Sequence, residues 1–514
     1  MTVWNIVLFL ISWFWIASMT CVSFTTNVLF SSKSRLLAPL SSVSANNENM
    51  PLLNVGIVGA GPSGLLLAHL LLQQENIKVT LFESRSDPRS KNAEQRAYAL
   101  GIGIRGRTAI RQVDEDLWQT VKNRGFESER FQLHVGGLVI PLRSEKDASN
   151  KDGLIVEPSV LTYQTDLCGA LLDELERRFQ GSGRLKMHFQ TTIKECNLDS
   201  MALSLENEGK DLIQPPLADK SYDIIVGADG VNSIVRNSIR QSHPSFQTSK
   251  ESLPGEFKVV RVDKGPPKVD PASVSLILPR SGSTTAFVEP TGLDGSCCIL
   301  FAGGGESAIL SERMNKTAIV EELQTAFPQW KAISESMASQ LICQLKTGAS
   351  SVVCNTYHYN DKAVLIGDAA HATGGVSGQG VNSALQDCVV LAGCITSNRN
   401  NLENALLSYS KSQVLEGKAL YDLSFGPKPE GIKAWIWAFL SVRDTLFRGR
   451  LGIGRPPLQT RLTTSLTPFS VIRRENDYFY SEVFPSNAEI QENVIALHED
   501  AVQNKAKADS SLAC

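Results

Sequence analysis

Three short groups of residues have the types and spacing to hold a phosphorylated cofactor. The first is Gly59-x-Gly61-x-x-Gly64 in "LNVGIVGAGPSGLLLAHLLL". Here Gly59 permits a tight turn, Gly61 lets backbone approach a pyrophosphate, and Gly64 lets a helix pack closely on a strand. The helix start presents free N–H groups and the positive end of its dipole to the phosphates. Glu83 follows Gly64 by nineteen residues, where a carboxylate can accept both hydroxyls of an adenosine ribose and would repel a 2′-phosphate. Alone, this group does not distinguish FAD from NAD. The second is Asp229-Gly230 in "SYDIIVGADGVNSIVR", with Ser233 and Arg236 behind it. The third lies in "AVLIGDAAHATGGVSGQG", where Asp368 ends an apolar run and Gly378-Gln379-Gly380 opens another helix. An ionised Asp368 can only accept hydrogen bonds, so it suits a ligand hydroxyl. His371, a lone histidine in a turn, reads as hydrogen-bonded scaffold rather than a base.

The elements that must position these groups are legible from periodicity. A strand over Leu53–Val58, a helix from Pro62 to about Gln74 and a strand over 78–83 form a βαβ unit, the setting in which a glycine motif of this spacing is informative. The other two groups also follow apolar, strand-like runs. "LPGEFKVVRV" and "ASVSLILPRSGSTTAFVEPTGLDGSCCILFAGG" are short apolar runs broken by Gly and Pro, which suits strands and hairpins. After about Thr396 the chain reads helical, and "GIKAWIWAFLSVRDTLFRGRLGIGRPP" places Trp435, Trp437 and Phe439 ahead of Arg443, Arg448 and Arg450. Such a segment either packs its aromatics into the core or forms a lid or a membrane-touching surface, so contact with a membrane through the C-terminal helices stays open.

Three strand-to-turn groups in this order resemble the FAD-binding fold of the single-component flavoprotein hydroxylases. From about Asn54 to Val483 the chain is most similar to the kynurenine 3-monooxygenases within them. The resemblance implies an α/β fold, with a Rossmann-like FAD-binding domain interleaved with a mixed β-sheet substrate domain and followed by C-terminal helices. It implies that Asp368 holds a ribityl hydroxyl, and that the helix after Gly380 points its amides at the flavin N1 and O2 edge, favouring the anionic reduced ring. "QRAYALGIGIRGRTAI" places Arg96 on the flavin or its pyrophosphate, and "TYQTDLCGALLDEL" places Gln164 at the ribityl chain. The implied activity is that of an FAD-dependent monooxygenase: NAD(P)H reduces the flavin and O2 supplies an oxygen atom to an apolar or aromatic small molecule by hydroxylation or epoxidation. The resemblance also implies that NAD(P)H visits transiently. An FAD-dependent reductase of isoprenoid chains and a non-catalytic flavin-binding redox or interaction protein are the alternatives.

The boundaries read as follows: residues 1-23 a signal peptide, 24-50 a transit-peptide-like segment, 53-127, 155-245 and 353-395 the three parts of the FAD-binding domain, 128-154 and 246-352 the two parts of the substrate domain, 396-488 a C-terminal helical region, and 489-514 a polar tail.

Departures from the resemblance bear on the substrate. Relatives hold a substrate carboxylate with an arginine on a strand and a tyrosine downstream. Here Arg130 in "SERFQLHVGGLVIPL" is offset by one residue relative to His134, which reverses its facing on a strand, and Leu142 stands at the tyrosine position. A family asparagine falls at Asp422, which would repel a carboxylate. Relatives carry proline where this chain has Gly375, and Gly374-Gly375 is expected to loosen the turn over the flavin. These changes point away from kynurenine.

Composition narrows the rest. The chain has 514 residues, 42% hydrophobic and 20% charged, enough for a large core and two or more domains. A net charge of -3 without long runs of like charge gives no support for nucleic acid as a partner. The 10 cysteines include no C-x-x-C and read mostly as buried thiols, so no metal is expected. Ile6 to Met19 is apolar but for Ser12 and Ser18, with Cys21 and Ser23 as small residues at a cleavage site; an uncleaved signal anchor is the alternative. The following segment is rich in Ser and Thr, with Phe24 at its start, and resembles the two-part presequences that lead to plastids through the secretory pathway. A secreted or endomembrane location is the alternative.

Overall fold

A computed structural model describes residues 51–90, 98–143, 157–205, 222–265, 268–292, 294–304, 306–436 and 458–512. Two sheets organise them. In the first, six strands lie in the order His358–Tyr359, Ala363–Leu365, Ile224–Gly227, Leu53–Val58, Ile77–Phe82 and Leu185–His188. All pair in parallel except the two at the His358 edge, which are antiparallel. Interior parallel strands are covered on both faces, which is why Leu53–Val58 and Ile224–Gly227 are nearly unbroken apolar runs. The helix Pro62–Leu72 starts on a proline, whose missing N–H costs nothing in a first turn. Leu65, Leu66, Leu67 and Ala68 are all fully buried, because the helix is enclosed by the sheet and by the helices Gln164–Phe179 and Gly380–Ser397. The expected βαβ unit is present, with its helix ending at Leu72 and its second strand running Ile77–Phe82.

The second sheet has seven strands in the order Thr347–Cys354, Thr248–Val262, Cys297–Gly303, Thr285–Pro290, Ser273–Ile277, Arg130–Val135 and Leu138–Arg143. Arg130–Val135 runs parallel to Ser273–Ile277 and the other pairs are antiparallel, so the sheet is mixed. The chain enters it twice and returns to the first sheet in between, which is the interleaving expected from the sequence. One face is closed by the helices Lys316–Ala326 and Ser334–Leu341: Val260, Ile277, Val288, Ile299 and Phe301 form a core there with Leu323, Trp330 and Met337. On the opposite face Cys298 packs against Ala99 and Tyr163, which lie on the paired strands Ala99–Ile102 and Ser159–Tyr163 of a separate three-stranded sheet.

Beyond residue 396 come the helices Leu402–Phe425, Leu458–Thr464, Phe469–Arg474 and Asn487–Leu512. The last contains most of the stretch expected as a polar tail, and it buries Ile490, Val494 and Ala501, packing on Leu402–Phe425. Trp435 is 80% exposed, so it does not enter the core. Trp437, Phe439, Arg443, Arg448, Arg450, Arg96 and residues 1–50, read above as targeting segments, lie outside the described residues. Among the described residues no helix is long and apolar enough to cross a membrane, and no cluster of side chains could hold a metal ion. Cys168, Cys196, Cys297, Cys298, Cys354 and Cys388 are buried free thiols, as anticipated.

Candidate functional site

All three residue groups follow strands that are neighbours in the first sheet and end level with one another. Val58 pairs with Gly227, and Gly227 with Leu365. The turns that follow therefore emerge along one edge, at the carboxyl ends of parallel strands, where open α/β sheets bind ligands.

The glycines divide their labour. Gly59 has φ +104°, and a Cβ on it would lie 2.2 Å from the Ala228 carbonyl oxygen. A Cβ on Gly64 would lie 2.0 Å from the Gly59 carbonyl oxygen. These two are required by the chain's own packing. A Cβ on Gly61, the residue that precedes the helix, would meet nothing within 4 Å. The open side of that turn thus sits at a helix N-terminus, as a pyrophosphate requires. Glu83 is half-buried beside it. One carboxylate oxygen accepts the Ala60 N–H at 2.9 Å and the other the Arg85 N–H at 2.9 Å, which holds the carboxylate against the glycine turn.

At the second group, one oxygen of Asp229 accepts the Ile234 N–H at 2.7 Å, while its other oxygen is buried with no partner among the described residues. Burial holds this carboxyl above the usual carboxylate range against the pull of the Ser233 and Ile234 hydrogen bonds. Gly230 is left-handed at φ +72°, with open space where a Cβ would be. Buried Arg236 donates to the Val231 carbonyl at 2.6 Å and to the Ala369 carbonyl at 2.9 Å, tying the second group to the third.

In the third group the Gly367 N–H donates to Asp387 at 2.8 Å, and the same carboxylate oxygen lies 2.7 Å from Nε2 of His371. Burial opposes protonation of His371, but the Asp387 charge and hydrogen bond prevail and its pKa is raised. His371 is scaffold, as expected. Asp368 is open to solvent although Gly367 and Ala369 beside it are buried. Gly374 and Gly375 have φ +62° and +78°, a region closed to proline. Gly378 N–H donates to the Gly375 carbonyl at 3.1 Å, and a Cβ on Gly374 would fall 2.3 Å from Leu253, whereas one on Gly375 would meet nothing within 4 Å.

Gly378, at φ +65°, and buried Gln379 lead into Gly380–Ser397, whose N-terminus has no side-chain cap. Asn382 in its first turn was not singled out in the sequence. Its side chain accepts the Gly103 N–H at 2.9 Å and donates to the Gly101 carbonyl at 3.0 Å, docking this helix on the segment that follows Arg96. Gln164 opens its own helix, half-buried, with its N–H donated to the Tyr98 carbonyl at 3.0 Å.

The seven-stranded sheet has a second face, on the side away from the helices Lys316–Ala326 and Ser334–Leu341. Cross-strand pairing aligns Val259, Leu300, Phe287, Leu276, Leu133 and Ile140 in one row of apolar side chains over six strands, none of them in the buried class. Next to it runs a shorter row, Arg261, Cys298 and Glu289. Arg130 belongs to neither. It pairs with Ser273 on the helix-covered side and lies 3.3 Å from Asp270. Asp422, expected to repel a carboxylate, is the counter-ion of buried Arg473 at 2.8 Å, so its charge is already met within the protein. The side chain of Leu142 lies outside the description.

Comparison with known proteins agrees with this geometry. The family model described as FAD binding domain matches residues 53–422. Kynurenine 3-monooxygenase of Salinispora tropica is 28% identical over 429 residues, covering 80% of this chain and 85% of that protein. The enzyme of the same name from Sus scrofa is 25% identical over 380 residues, covering 72% and 74%. Among solved structures, the tetrameric form of 2-methyl-3-hydroxypyridine-5-carboxylic acid oxygenase has a similar fold, with a TM-score of 0.56 at 18% identity over 85% of this chain and all of that one. A family match over most of the chain, on a strand edge whose open glycine turn and unpartnered buried carboxylate oxygen fit a dinucleotide, places the protein in the FAD binding domain family of flavin-dependent monooxygenases.

Proposed function

We propose that the protein oxygenates a neutral, largely apolar or aromatic small molecule, with NAD(P)H as transient reductant and O2 as oxidant. The observation that carries this reading is the unbroken apolar row Val259, Leu300, Phe287, Leu276, Leu133 and Ile140 on the open sheet face, with Arg130 turned to the other side. A carboxylate bound against such a wall pays a desolvation cost of about several kcal/mol, and the cation in the neighbouring row, Arg261, shares that row with Glu289, whose charge opposes a second carboxylate. Kynurenine is therefore a poor substrate in this reading, although relatives carry its name.

In the same reading Gly59 and Gly64 shape the turn, Gly61 and the helix behind it receive the pyrophosphate, and Glu83 takes the adenosine ribose. Asp229, Gly230, Arg96 and Gln164 contact the central part of FAD, Asp368 the ribityl chain, and the helix start at Gly378, Gln379 and Gly380 the pyrimidine edge. FAD supplies the activation of oxygen; the protein orients the substrate and keeps the cleft dry.

Steady-state NAD(P)H consumption, paired with mass detection of a product one oxygen heavier, tests the reading. Naphthalene-type and isoprenoid compounds should stimulate consumption well above kynurenine. Efficient formation of 3-hydroxykynurenine would overturn the substrate class, and full turnover under anaerobic conditions would replace oxygenation by reduction. We further infer that residues 1–50 carry the chain to a plastid through the secretory pathway. A fluorescent fusion of Met1 to Met50 that stays cytosolic or enters mitochondria would rule that out.

A further inference from the structure

Three of the chain's 7 histidines meet where the helix Asn487–Leu512 packs on the rest of the protein. His498, on that helix, lies between His358 of the first sheet's edge strand and Glu403 of the helix Leu402–Phe425. Its Nδ1 is 3.1 Å from His358 Nε2, and its Nε2 is 3.0 Å from a Glu403 carboxylate oxygen. The contacts continue inward. His358 Nδ1 is 3.1 Å from Thr356 Oγ1, which is 3.0 Å from Ser410 Oγ, and Ser410 Oγ accepts the Tyr357 N–H at 2.9 Å. His358, Thr356 and Ser410 are buried, whereas the Glu403 side chain is 47% exposed, so one end of the row reaches solvent.

Both ends of this row have a fixed sense, and together they fix everything between. An ionised Glu403 only accepts, so His498 carries its proton on Nε2 and, when neutral, accepts at Nδ1. His358 must then donate from Nε2 and accept at Nδ1 from the Thr356 O–H. Thr356 in turn accepts the Ser410 O–H, and Ser410 accepts the Tyr357 N–H. With both rings neutral, every donor meets an acceptor. A proton added to His498 sets N–H against N–H at the 3.1 Å contact. Moving the His358 proton to Nδ1 would relieve that clash, but it turns the Thr356 O–H onto Ser410 and leaves the Ser410 O–H with no acceptor among the described residues. A buried donor without a partner carries its full desolvation cost.

The other titratable groups facing the pair do not relieve this. His243, at the end of the helix Ile234–Ser242, is buried with its Nδ1 unpartnered among the described residues; burial lowers its pKa, with Asp500 opposing and His498 adding to the effect. Asp500, two residues beyond His498, accepts the Ser245 O–H at 2.5 Å. Burial, then His498, then His243 push the His358 pKa down to about 3. A histidine that holds its proton less well when covered opposes docking only below its ordinary pKa of about 6.5. Docking is therefore at full strength above that value and weakens as pH falls from there toward 3.

We propose that Asn487–Leu512 is an acid-released latch, held on the edge of the first sheet by the His358–His498 contact while both rings are neutral and undocked when the pair takes up a proton. Undocking uncovers Ile490, Val494 and Ala501 and opens one side of Leu402–Phe425. The latch is one helix removed from the candidate site, since Tyr409 of Leu402–Phe425 donates to the Leu365 carbonyl at 3.0 Å.

Hydrogen–deuterium exchange of the FAD-loaded full-length protein, corrected for the intrinsic pH dependence of exchange, reads docking directly. One proton taken up with an ordinary pKa of about 6.5 shifts the docked ratio about tenfold by pH 5.5. Protection of backbone amides over residues 490–501 should thus fall tenfold or more between pH 7.5 and pH 5.5, while that of the strand Leu53–Val58 stays within twofold. The double variant His358→Gln/His498→Gln keeps side chains that both donate and accept but take no proton, and its loss over 490–501 should be threefold or less. Unchanged protection of the wild-type helix, or an equal loss in the double variant, overturns the latch. A parallel loss in Leu53–Val58 means that acid unfolds the whole protein, and overturns it too. Should the double variant be unprotected already at pH 7.5, the imidazole nitrogen shifts of the wild type decide. They should show His358 and His498 neutral at pH 7.5 with the proton on Nε2 in each; a cationic ring, or a proton on Nδ1 of His358, refutes the proposal.

Discussion

The two faces of the seven-stranded sheet come from the same strands and the same alternating pattern, yet they are under different constraints. Toward the helices, Val260, Ile277, Val288, Ile299 and Phe301 are sealed in a core. On the other face Val259, Leu276, Phe287 and Leu300 stay half-covered, and Arg261 and Glu289 sit among them. Because side chains alternate, a closed face pins the register, and that register in turn aims every residue on the open face. Packing on one side frees the other for chemistry.

Adjacent residues on one strand can break this comparison most directly. Phe301 is fully buried, in contact with the Phe327 and Trp330 rings, whereas Leu300 faces the cleft. Phe301→Ala should cost about 3–5 kcal/mol of stability. Leu300→Ala should cost about 1 kcal/mol or less, and should raise KM for an aromatic substrate by about tenfold, the equivalent of about 1.4 kcal/mol. Urea unfolding and steady-state kinetics on both variants check the contrast. Equal losses of stability would mean that the open face is a second core.

Glu289→Gln sharpens it through pH. An acid whose folded-state pKa, about 7, lies above its ordinary value binds its proton more tightly when folded, so its contribution to stability falls as pH rises from about 4.5 to 7 and stays low above that. The glutamine variant escapes this cost. It should unfold at the same urea concentration as wild type near pH 4.5 and should be more stable by about 1–2 kcal/mol at pH 8. A difference of the opposite sign would mean that Glu289 is held ionised by a partner.

How much of this was legible in the sequence depends on where each constraint acts. Gly59 is demanded by its own left-handed backbone and Gly64 by the Gly59 carbonyl it packs on, both within the turn, so their positions carried their meaning. The level strand ends at Val58, Gly227 and Leu365 follow from three apolar runs of recognisable form. Other features depend on distant partners. Asp422 read as a repulsive charge because Arg473, which neutralises it, lies 51 residues away. Asn487–Leu512 read as polar because its few buried residues, Ile490, Val494 and Ala501, are spaced among charged ones. Glu289 sits in a strand-like run without a local sign that its face opens onto a cleft, since that face is set by pairing with strands on either side.

The smallest expected effect belongs to Arg130, and it tests whether facing alone decides function. Arg130 lies two residues before Gln132 and four before His134, all on the helix-covered side of the strand by their pairing with Ser273, Ser275 and Ile277. Its contact with Asp270 is 3.3 Å, with the two side chains 40% and 28% exposed. A partly exposed pair of this kind contributes about 0–1 kcal/mol. Arg130→Gln should therefore change the urea midpoint little and leave KM for a neutral aromatic substrate within about twofold of wild type, well below the 1.4 kcal/mol that a tenfold change represents. Phe131 is the control, since its ring meets Phe287 on the open face at a centroid distance of 6.1 Å. Phe131→Ala should raise that KM further than Arg130→Gln does. The reverse ranking would place the guanidinium inside the cleft, restore a cation for a substrate carboxylate, and make kynurenine-like acids the class to examine.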